Sequence, residues 1–568
     1  MKKINIQKVP FSRFGSYLAI SQDPRDKGIY LRNLHGDCRE PKVLQLIPLK
    51  NGREIPFQWE AKPWVLTLTS EDSWVKLFFK DEKSLAIVGT GVDLLLKLPH
   101  IHTFSNALQR GPSSWQILAW ESRLYLGISL LSGGLQVFSP WEVRDYGLRC
   151  SKVELIISPD PNGGFSCVLK AGRHDWIPAK VELNPEEEIE EAHRSYNLWK
   201  KKMPSVSEEL SEPAELAWYI LWANAVAPEG NFTRPAILTS KNWMNNLWSW
   251  DHCFQALVLA ESDPELSWDQ FMVIFDHQLP NGMLPDYVND TSVFTYLTKP
   301  PIHGWTLGKL MEFEYFLEPK RLKEVFGPLE HWTNWWLSSR DDDRDGICQY
   351  NNGCECWDNC TVFDEGIPVE SPDLSAYLIL QMNVLSDVAG RLGKRGTSRK
   401  WRERSREMLS RLISHSWKRG GFVSPHSGSH RYQDSDSLLN LMPVVLGATL
   451  PPTNLQPIIG TLSREGYLLT PYGLATESPQ SKKYGSHSYW RGPVWAPSTF
   501  MVVDGLRRAG YPDLAKEIAR RFCRMVANQD GMYENYDALT GEGYDDPALA
   551  WTCSVFLMLA HQLSKGGF

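Results

Sequence analysis

Ser371-Pro-Asp-Leu-Ser-Ala-Tyr-Leu-Ile-Leu-Gln-Met-Asn-Val-Leu-Ser-Asp-Val-Ala-Gly-Arg-Leu392 carries the clearest periodicity in the chain. Leu374, Tyr377, Leu378, Met382 and Leu385 recur at helical spacing and form one apolar face. Val369-Glu370-Ser-Pro-Asp373 ahead of them reads as a cap, structural in role. The neighbouring segments have the same character. Residues near 206–227, 251–262, 265–278, 305–317, 319–339, 397–417, 434–447, 453–464, 493–509, 512–527 and 546–564 each read as a helix. With 371–392 they make roughly twelve helices without strand-length alternation between them, which suggests six helical hairpins. An α/α barrel arranges such hairpins around a central pocket. Bundles and solenoids share the pattern, but no repeat of about 33 to 47 residues favours a solenoid.

Working back toward the N-terminus, residues 183–205 read as a helical linker. Asn184-Pro185 opens it, Glu186-Glu-Glu-Ile-Glu-Glu follows as a solvated first turn, and Lys200–Lys202 with Pro204 close it. Residues 1–182 are β-rich. Short apolar or alternating runs at Trp64–Thr69, Trp74–Phe79, Arg123–Leu130, Lys152–Ser158 and Phe165–Lys170 are separated by turns such as Pro-Asp-Pro-Asn-Gly-Gly at 159–164. That spacing predicts an antiparallel β-sandwich without a chemical motif of its own, packed beside the helical domain at 206–568.

The bulk composition excludes several functions. A formal charge of −7 offers no basic face for nucleic acid. No run of 18 or more apolar residues predicts a membrane helix, and Met-Lys-Lys-Ile-Asn-Ile-Gln-Lys has no apolar stretch behind its lysines to make a signal peptide. Ten cysteines then read as reduced thiols of a cytoplasmic protein. Cys354, Cys356 and Cys360 do not have zinc-site spacing. Twenty-four tryptophans are far more than ordinary, and many cluster near acids in the second half, which suggests an aromatic-lined cleft.

The loops between the helices hold the polar chemistry. Asn245-Asn-Leu-Trp-Ser-Trp-Asp-His-Cys-Phe254 places Trp248 and Trp250 directly before Asp251 at a helix start. Indole faces stack on sugar C–H faces and a carboxylate accepts from hydroxyls, although the same residues also read as core tryptophans beside a cap. Gln278 and Asp286 belong to a Pro/Gly-punctuated loop. Arg340-Asp-Asp-Asp-Arg-Asp-Gly346 has the first half of a calcium loop, but position twelve would be Asn352. We read it as an Asp-rich turn, with structural calcium at Asp341–Asp345 as the alternative. Glu355-Cys-Trp357-Asp358-Asn359 sets two carboxyls beside an indole, and burial there would raise the Asp358 pKa as a general acid requires. Tyr489-Trp490-Arg491-Gly492-Pro493-Val-Trp495 is the densest aromatic–cation stretch, with Pro493 suited to the first turn of a helix. Tyr533-Glu534-Asn535-Tyr536-Asp537 offers a further acid, Glu534.

Trp-Ser-Trp-Asp at 248–251, Glu-Cys-Trp-Asp-Asn at 355–359, Tyr-Trp-Arg-Gly-Pro-Val-Trp at 489–495 and Tyr-Glu-Asn-Tyr-Asp-x-x-Thr-Gly at 533–541 occur in that order. Together they resemble glycoside hydrolase family 63, with its relatives the trehalases and the bacterial amylo-α-1,6-glucosidase-like proteins. The resemblance covers roughly residues 206–568 and implies an (α/α)6 barrel that hydrolyses α-glycosides, most commonly α-glucosides, with inversion. It implies Asp358 as general acid and Glu534 as general base. It also implies that Trp248, Trp250, Asp251, Tyr489, Trp490, Gly492 and Trp495 line the sugar pocket. Relatives carry a Glu-Ser-Gly-x-Asp-Asn-like segment; this chain is one residue shorter there and lacks Ser-Gly, so Glu355 is the second candidate for the acid. Inversion needs one carboxylic acid and one carboxylate and no cofactor. Asp358 is expected in the more apolar surroundings and Glu534 in the more polar. The substrate is expected to be a small saccharide or glycoside. Two other readings remain: a sugar isomerase or epimerase on the same barrel, using His252, His277, His303 or His487, and a carbohydrate-binding protein without catalysis.

Overall fold

The computed structural model describes residues 4–144, 147–178 and 181–568; Met1 to Lys3 of the N-terminal stretch lie outside it. Alternating apolar residues build the front half into two antiparallel sheets. In the first, strands Leu18–Gln22, Ile29–Asn33, Lys42–Lys50, Asp93–Lys97, Glu154–Ser158 and Gly134–Phe138 lie in that order, with Arg53–Glu54 paired to Lys42–Lys50. The second runs Asn106–Gly111, Ser114–Ala119, Leu124–Ser132, Gly164–Gly172, Ser84–Thr90, Ser73–Phe79, Val65–Ser70, Gln58–Lys62. Leu66, Leu68, Leu77, Ile87, Leu126 and Ile128 of the second sheet share one core with Leu94, Leu96, Leu155 and Ile157 of the first, as in a sandwich. Phe78, Ala86, Val88 and Val168 point the other way and are covered by Val181, Leu183 and Ile189. Ile189 belongs to helix α1, Pro185–Lys200, so the linker helix covers the back of the larger sheet. Asn184 begins it without a side-chain cap; its amide donates instead to Glu187.

The helical half contains α2 (Glu208–Asn224), α3 (Asp251–Leu259), α4 (Pro264–Met272), α5 (His303–Leu310), α6 (Pro319–Ser339), α7 (Pro372–Arg391), α8 (Arg395–Ser416), α9 (Pro452–Leu462), α10 (Ala496–Arg508), α11 (Pro512–Ala527) and α12 (Ala550–Lys565). Between α8 and α9, Leu438–Thr449 winds as a 3-10 helix, with Pro443 inside it and Gly447 at φ 58°. The neighbours close a ring: α12 packs on α3, α3 on α5, α5 on α7, α7 on Leu438–Thr449, that segment on α10, and α10 back on α12. Outside it, α2 packs on α12, α4 on α3, α6 and α8 on α7, α9 on Leu438–Thr449, and α11 on α10 and α12. This is an (α/α)6 barrel. The inner elements are apolar nearly all round, which is why α7 buries Leu374, Ala376, Leu378, Ile379 and Met382 alike. Among the described residues, no helix is long and apolar enough to cross a membrane.

Short paired strands line one end of the barrel. Leu247–Trp248 pairs with Tyr287–Val288, and Val494–Trp495 pairs with Asn535–Tyr536. The second pairing corrects the expectation for Pro493. The chain stays extended through Trp495, and α10 starts only at Ala496. Cross-strand hydrogen bonding there replaces the helical turn that Pro493 would have opened.

The two halves are joined by polar contacts, buried at Lys241 and His35 and partly exposed at Lys8. Lys241 is fully buried, and its Nζ donates to Ser12 Oγ at 3.1 Å, Ser16 O at 2.6 Å and Ala225 O at 3.0 Å. Burial holds its pKa well below that of an ordinary lysine. His35 Nδ1 lies 2.8 Å from Asp290, and Lys8 Nζ donates to Asp530 at 2.6 Å and to the Tyr533 phenol at 2.7 Å.

Candidate active site

Six separate stretches of sequence meet at one cavity. Its volume is about 150 Å³, and its lining includes Trp248, Trp250, Asp251, Lys299, Asp358, Tyr489, Trp490, Glu534 and Trp551. Thr239, Met244 and Leu549 complete the wall. Three larger concavities lie elsewhere, of about 570 Å³ beside Glu261 and Arg507, about 470 Å³ beside Trp64 and His193, and about 650 Å³ beside Asp23 and Arg32. None of the three gathers buried carboxyls with indoles, which makes the smaller cavity the candidate site. Pockets for drug-sized ligands measure roughly 300–1,000 Å³, so this one suits a single ring.

The aromatic wall is stacked. The Trp490 ring lies 3.9 Å from Trp495 at 8° and 4.8 Å from Trp357 at 19°. Trp250 meets Trp551 edge-on at 5.6 Å. Trp490 is sandwiched between Trp357 and Trp495, which fix its tilt and leave its edge to the cavity. Gly492 permits the local backbone: at φ +149°, an added Cβ would lie 2.4 Å from Gly485 O. The Asp358 loop is fastened to this stretch. The Trp490 amide donates to Asn359 Oδ1 at 3.0 Å, and Asn359 Nδ2 donates to Ser488 O at 3.0 Å.

Four carboxyls and one ammonium set the electrostatics. Asp251 is the first residue of α3, where its Oδ2 accepts from Thr239 Oγ1 at 2.9 Å. Burial pushes its pKa up to about 7, against the lowering by Thr239. Glu534 is only 3% exposed. Its burial, together with Asp545, Asp546 and Asp251, pushes its pKa up to about 8, opposed by the hydrogen bond from Tyr489. Lys299 Nζ lies 3.3 Å from Asp286 Oδ1 and donates to Cys354 O. Burial opposes its charge, but Asp286, Asp358 and Asp251 outweigh it and hold the pKa above the ordinary lysine value. Asp286, itself raised by burial despite Lys299, sits behind Lys299.

The environments of the two proposed catalytic carboxyls are the reverse of the sequence expectation. Asp358 is half-buried, whereas Glu534 is the enclosed one. The Trp357 ring stacks on Trp490, so sequence adjacency did not translate into enclosure of Asp358.

Several candidates lie off the cavity. Glu355 is buried in a two-pronged pair with Arg340, at 2.8 and 2.6 Å, and accepts from the Asn351 amide at 2.8 Å. Gln278 donates to Gly282 O and Pro328 O, holding its loop. Arg491 bonds Asn359 O and Asp364. Tyr536 is fully buried and accepts from the Tyr533 amide. None of His252, His277, His303 and His487 lines the cavity. Sequence reasoning did not select Thr239, Lys299 or Trp551. Trp551 opens α12 much as Trp250 precedes α3, which was a usable signal; Lys299 before Pro300-Pro301 and Thr239 offered none.

Residues 244–552, more than half of the chain, match the sequence model of the mannosylglycerate hydrolase MGH1-like glycoside hydrolase domain. Mannosylglycerate hydrolase MGH1 of Selaginella moellendorffii is 22% identical over 409 residues, 58% of this chain and 82% of the relative. The glycoside hydrolase family 63 mannosylglycerate hydrolase of Thermus thermophilus, solved with glucose, superposes with TM-score 0.54 at 20% identity, over 61% of this chain and 98% of that one. A bacterial glucoamylase solved with acarbose superposes over 99% of this chain and 95% of its own, with TM-score 0.65 at 13% identity, so its likeness takes in the sandwich as well as the barrel. With indoles, carboxyls and barrel in this arrangement, the chain belongs to the mannosylglycerate hydrolase MGH1-like glycoside hydrolases of family 63.

Proposed function

We propose that this chain is an exo-acting, inverting hydrolase that releases a terminal α-linked glucose or mannose from a small glycoside of the hexosylglycerate kind. One observation carries the reading: Asp358 and Glu534, far apart in sequence, line one indole-walled cavity with room for one sugar ring. Trp248, Trp250 and Trp551 supply apolar indole surface for the ring and Asp251 an acceptor for its hydroxyls. Asp358 protonates the leaving oxygen. Glu534 takes a proton from the attacking water, with Tyr489 holding Oε1 so that Oε2 meets the water. An isomerase reading would need a histidine beside the sugar, and the four histidines stand off the cavity. The ten free thiols fit a reducing, cytoplasmic setting.

The test is incubation with α-mannosylglycerate, α-glucosylglycerate and a panel of α-linked disaccharides, followed by proton NMR. Release of a free hexose as its β-anomer supports the proposal. Release of the α-anomer, or conversion of a free hexose into its isomer without hydrolysis, overturns it.

A further inference from the structure

The acidic turn after α6 is joined in space by groups that the sequence kept far apart. Asp345 comes from that turn, Glu370 from the residue before the cap of α7, His415 from the last turn of α8, and His430 from the loop that follows. One donor atom from each lies within 4.8 Å of every other. His415 Nε2 is 2.7 Å from Glu370 Oε2, and His415 Nδ1 is 3.3 Å from Asp345 Oδ2. His430 Nε2 is 3.7 Å from Asp345 Oδ2 and 4.0 Å from Glu370 Oε2. With metal–ligand bonds of about 2.0–2.2 Å, ligand atoms of a four-coordinate ion stand roughly 3.3–3.6 Å apart. His415 can give the ion only one ring nitrogen, and with one donor atom from each residue inside 4.8 Å of the others, small side-chain adjustments reach that spacing.

A second observation separates this cluster from an ordinary acidic turn. Glu370 is 0% exposed, yet neither of its carboxylate oxygens has a hydrogen bond, and nor does His415 Nε2. The 2.7 Å approach of Glu370 Oε2 to that nitrogen therefore lacks hydrogen-bond alignment. Buried carboxylates are paired, hydrogen-bonded or bound to a cation, and this one is aimed into a cluster of donor atoms without the first two in full. The two imidazole rings stand perpendicular, with centroids 4.8 Å apart.

We propose that Asp345, Glu370, His415 and His430 bind a divalent transition-metal ion of the zinc class. Two imidazole nitrogens with two carboxylates suit zinc or cobalt, whereas calcium and magnesium select oxygen ligands. The calcium loop suggested by Asp341, Asp343 and Asp345 is not completed by its twelfth residue: Asn352 Oδ1 accepts from the Cys354 amide at 2.9 Å. Asp343 takes an outer position, with Oδ2 accepting from the Gly428 amide and sharing a hydrogen bond with His430 Nε2, each at 2.8 Å. The ion would clamp the base of the loop that carries Asp358. Tyr350 of that loop bridges Val369 beside Glu370, and Val369 also bridges His426.

The test uses the full chain stripped with a chelator and titrated with Zn²⁺ or Co²⁺. Expected are one ion per chain, four-coordinate ligand-field bands with Co²⁺, and a raised thermal midpoint. His415→Ala should weaken binding by on the order of a hundredfold or more. His430 is 46% exposed, so His430→Gln leaves the fold intact and should lower affinity at least about tenfold with altered cobalt bands. Cobalt bands unchanged in both variants, no stoichiometric zinc or cobalt uptake, or uptake of calcium alone would overturn the assignment.

Discussion

The phenol of Tyr489 donates a hydrogen bond of 2.9 Å to Glu534 Oε1, from a residue held at φ 59°. That left-handed backbone is rare outside glycine and carries a cost of order 1–3 kcal/mol, offset here by the surrounding structure. Trp495 Nε1 donates to the Tyr489 carbonyl at 3.0 Å, and the Tyr489 and Trp495 rings meet edge-on at 4.8 Å. The strained residue thus holds the orientation of the Glu534 carboxyl. Tyr489→Phe is expected to lower kcat/KM by about ten- to a hundredfold, the worth of roughly 1.5–3 kcal/mol for a hydrogen bond to a charged group. Because that bond lowers the Glu534 pKa, its loss should also move the Glu534 titration to higher pH. A profile that stays in place in Tyr489→Phe would remove this role.

Asp358→Asn and Glu534→Gln should each reduce kcat by on the order of 10²- to 10⁴-fold while keeping the thermal midpoint. Glu355→Gln should do the opposite. It leaves Arg340 buried without its charged partner, a loss of about 3–5 kcal/mol in stability. Stability and kcat measured on the same three variants separate the roles. A tenth or more of the parent kcat in Asp358→Asn would move the acid elsewhere.

If Glu534 is the base, it must be ionised in the free enzyme, so kcat/KM should rise with pH through about 8. The sign reverses if it is the proton donor: activity would then fall through the same pH. The pH profile of kcat/KM distinguishes the two assignments without a mutation.

The same carboxyl links stability to pH. Its folded value near 8 is above its ordinary 4.5, so the folded chain keeps a proton in that window that the unfolded chain has lost. Its contribution is therefore present below about 4.5 and is lost as pH rises through about 8; Asp251, raised to about 7, acts in the same direction. Calorimetry should show a midpoint that declines less over this range in Glu534→Gln than in the parent. Equal slopes would assign the loss to other groups.

A crystal structure with a bound sugar should place the Asp358 and Glu534 carboxyls roughly 6.5–9.5 Å apart, with a water between Glu534 and the anomeric carbon. A separation near 5–5.5 Å would instead make one of them a nucleophile.

The helices were legible because periodicity is local, and α6 and α11 run over 319–339 and 512–527 as the apolar spacing predicts. The segment expected as a helix at 434–447 became a 3-10 run over Leu438–Thr449, since Pro443 and Gly447 interrupt α-helical bonding within a fully apolar environment. The indoles and acids of the site were legible for a different reason: carboxyls set among tryptophans point to a site more than to packing. Lys299 was not, because its meaning comes from Asp286 and the Cys354 carbonyl, neither of which is near it in sequence. The order of burial of Asp358 and Glu534 was misread because enclosure depends on which loop lies deeper, and the Val494–Trp495 pairing with Asn535–Tyr536 is what takes Glu534 inside.

Lys241 gives the sandwich and barrel a shared dependence. Its three oxygen acceptors include Ser12 and Ser16, from the very start of the described chain. A barrel expressed without those residues would have to hydrate the Lys241 nitrogen in place, and hydration would open the wall around Asn242, whose amide bonds Asp546 at 2.9 Å beside the Glu534 loop. The sandwich is thus no removable accessory: trimming it for a smaller catalyst would unseat the carboxylate that the trimming was meant to keep.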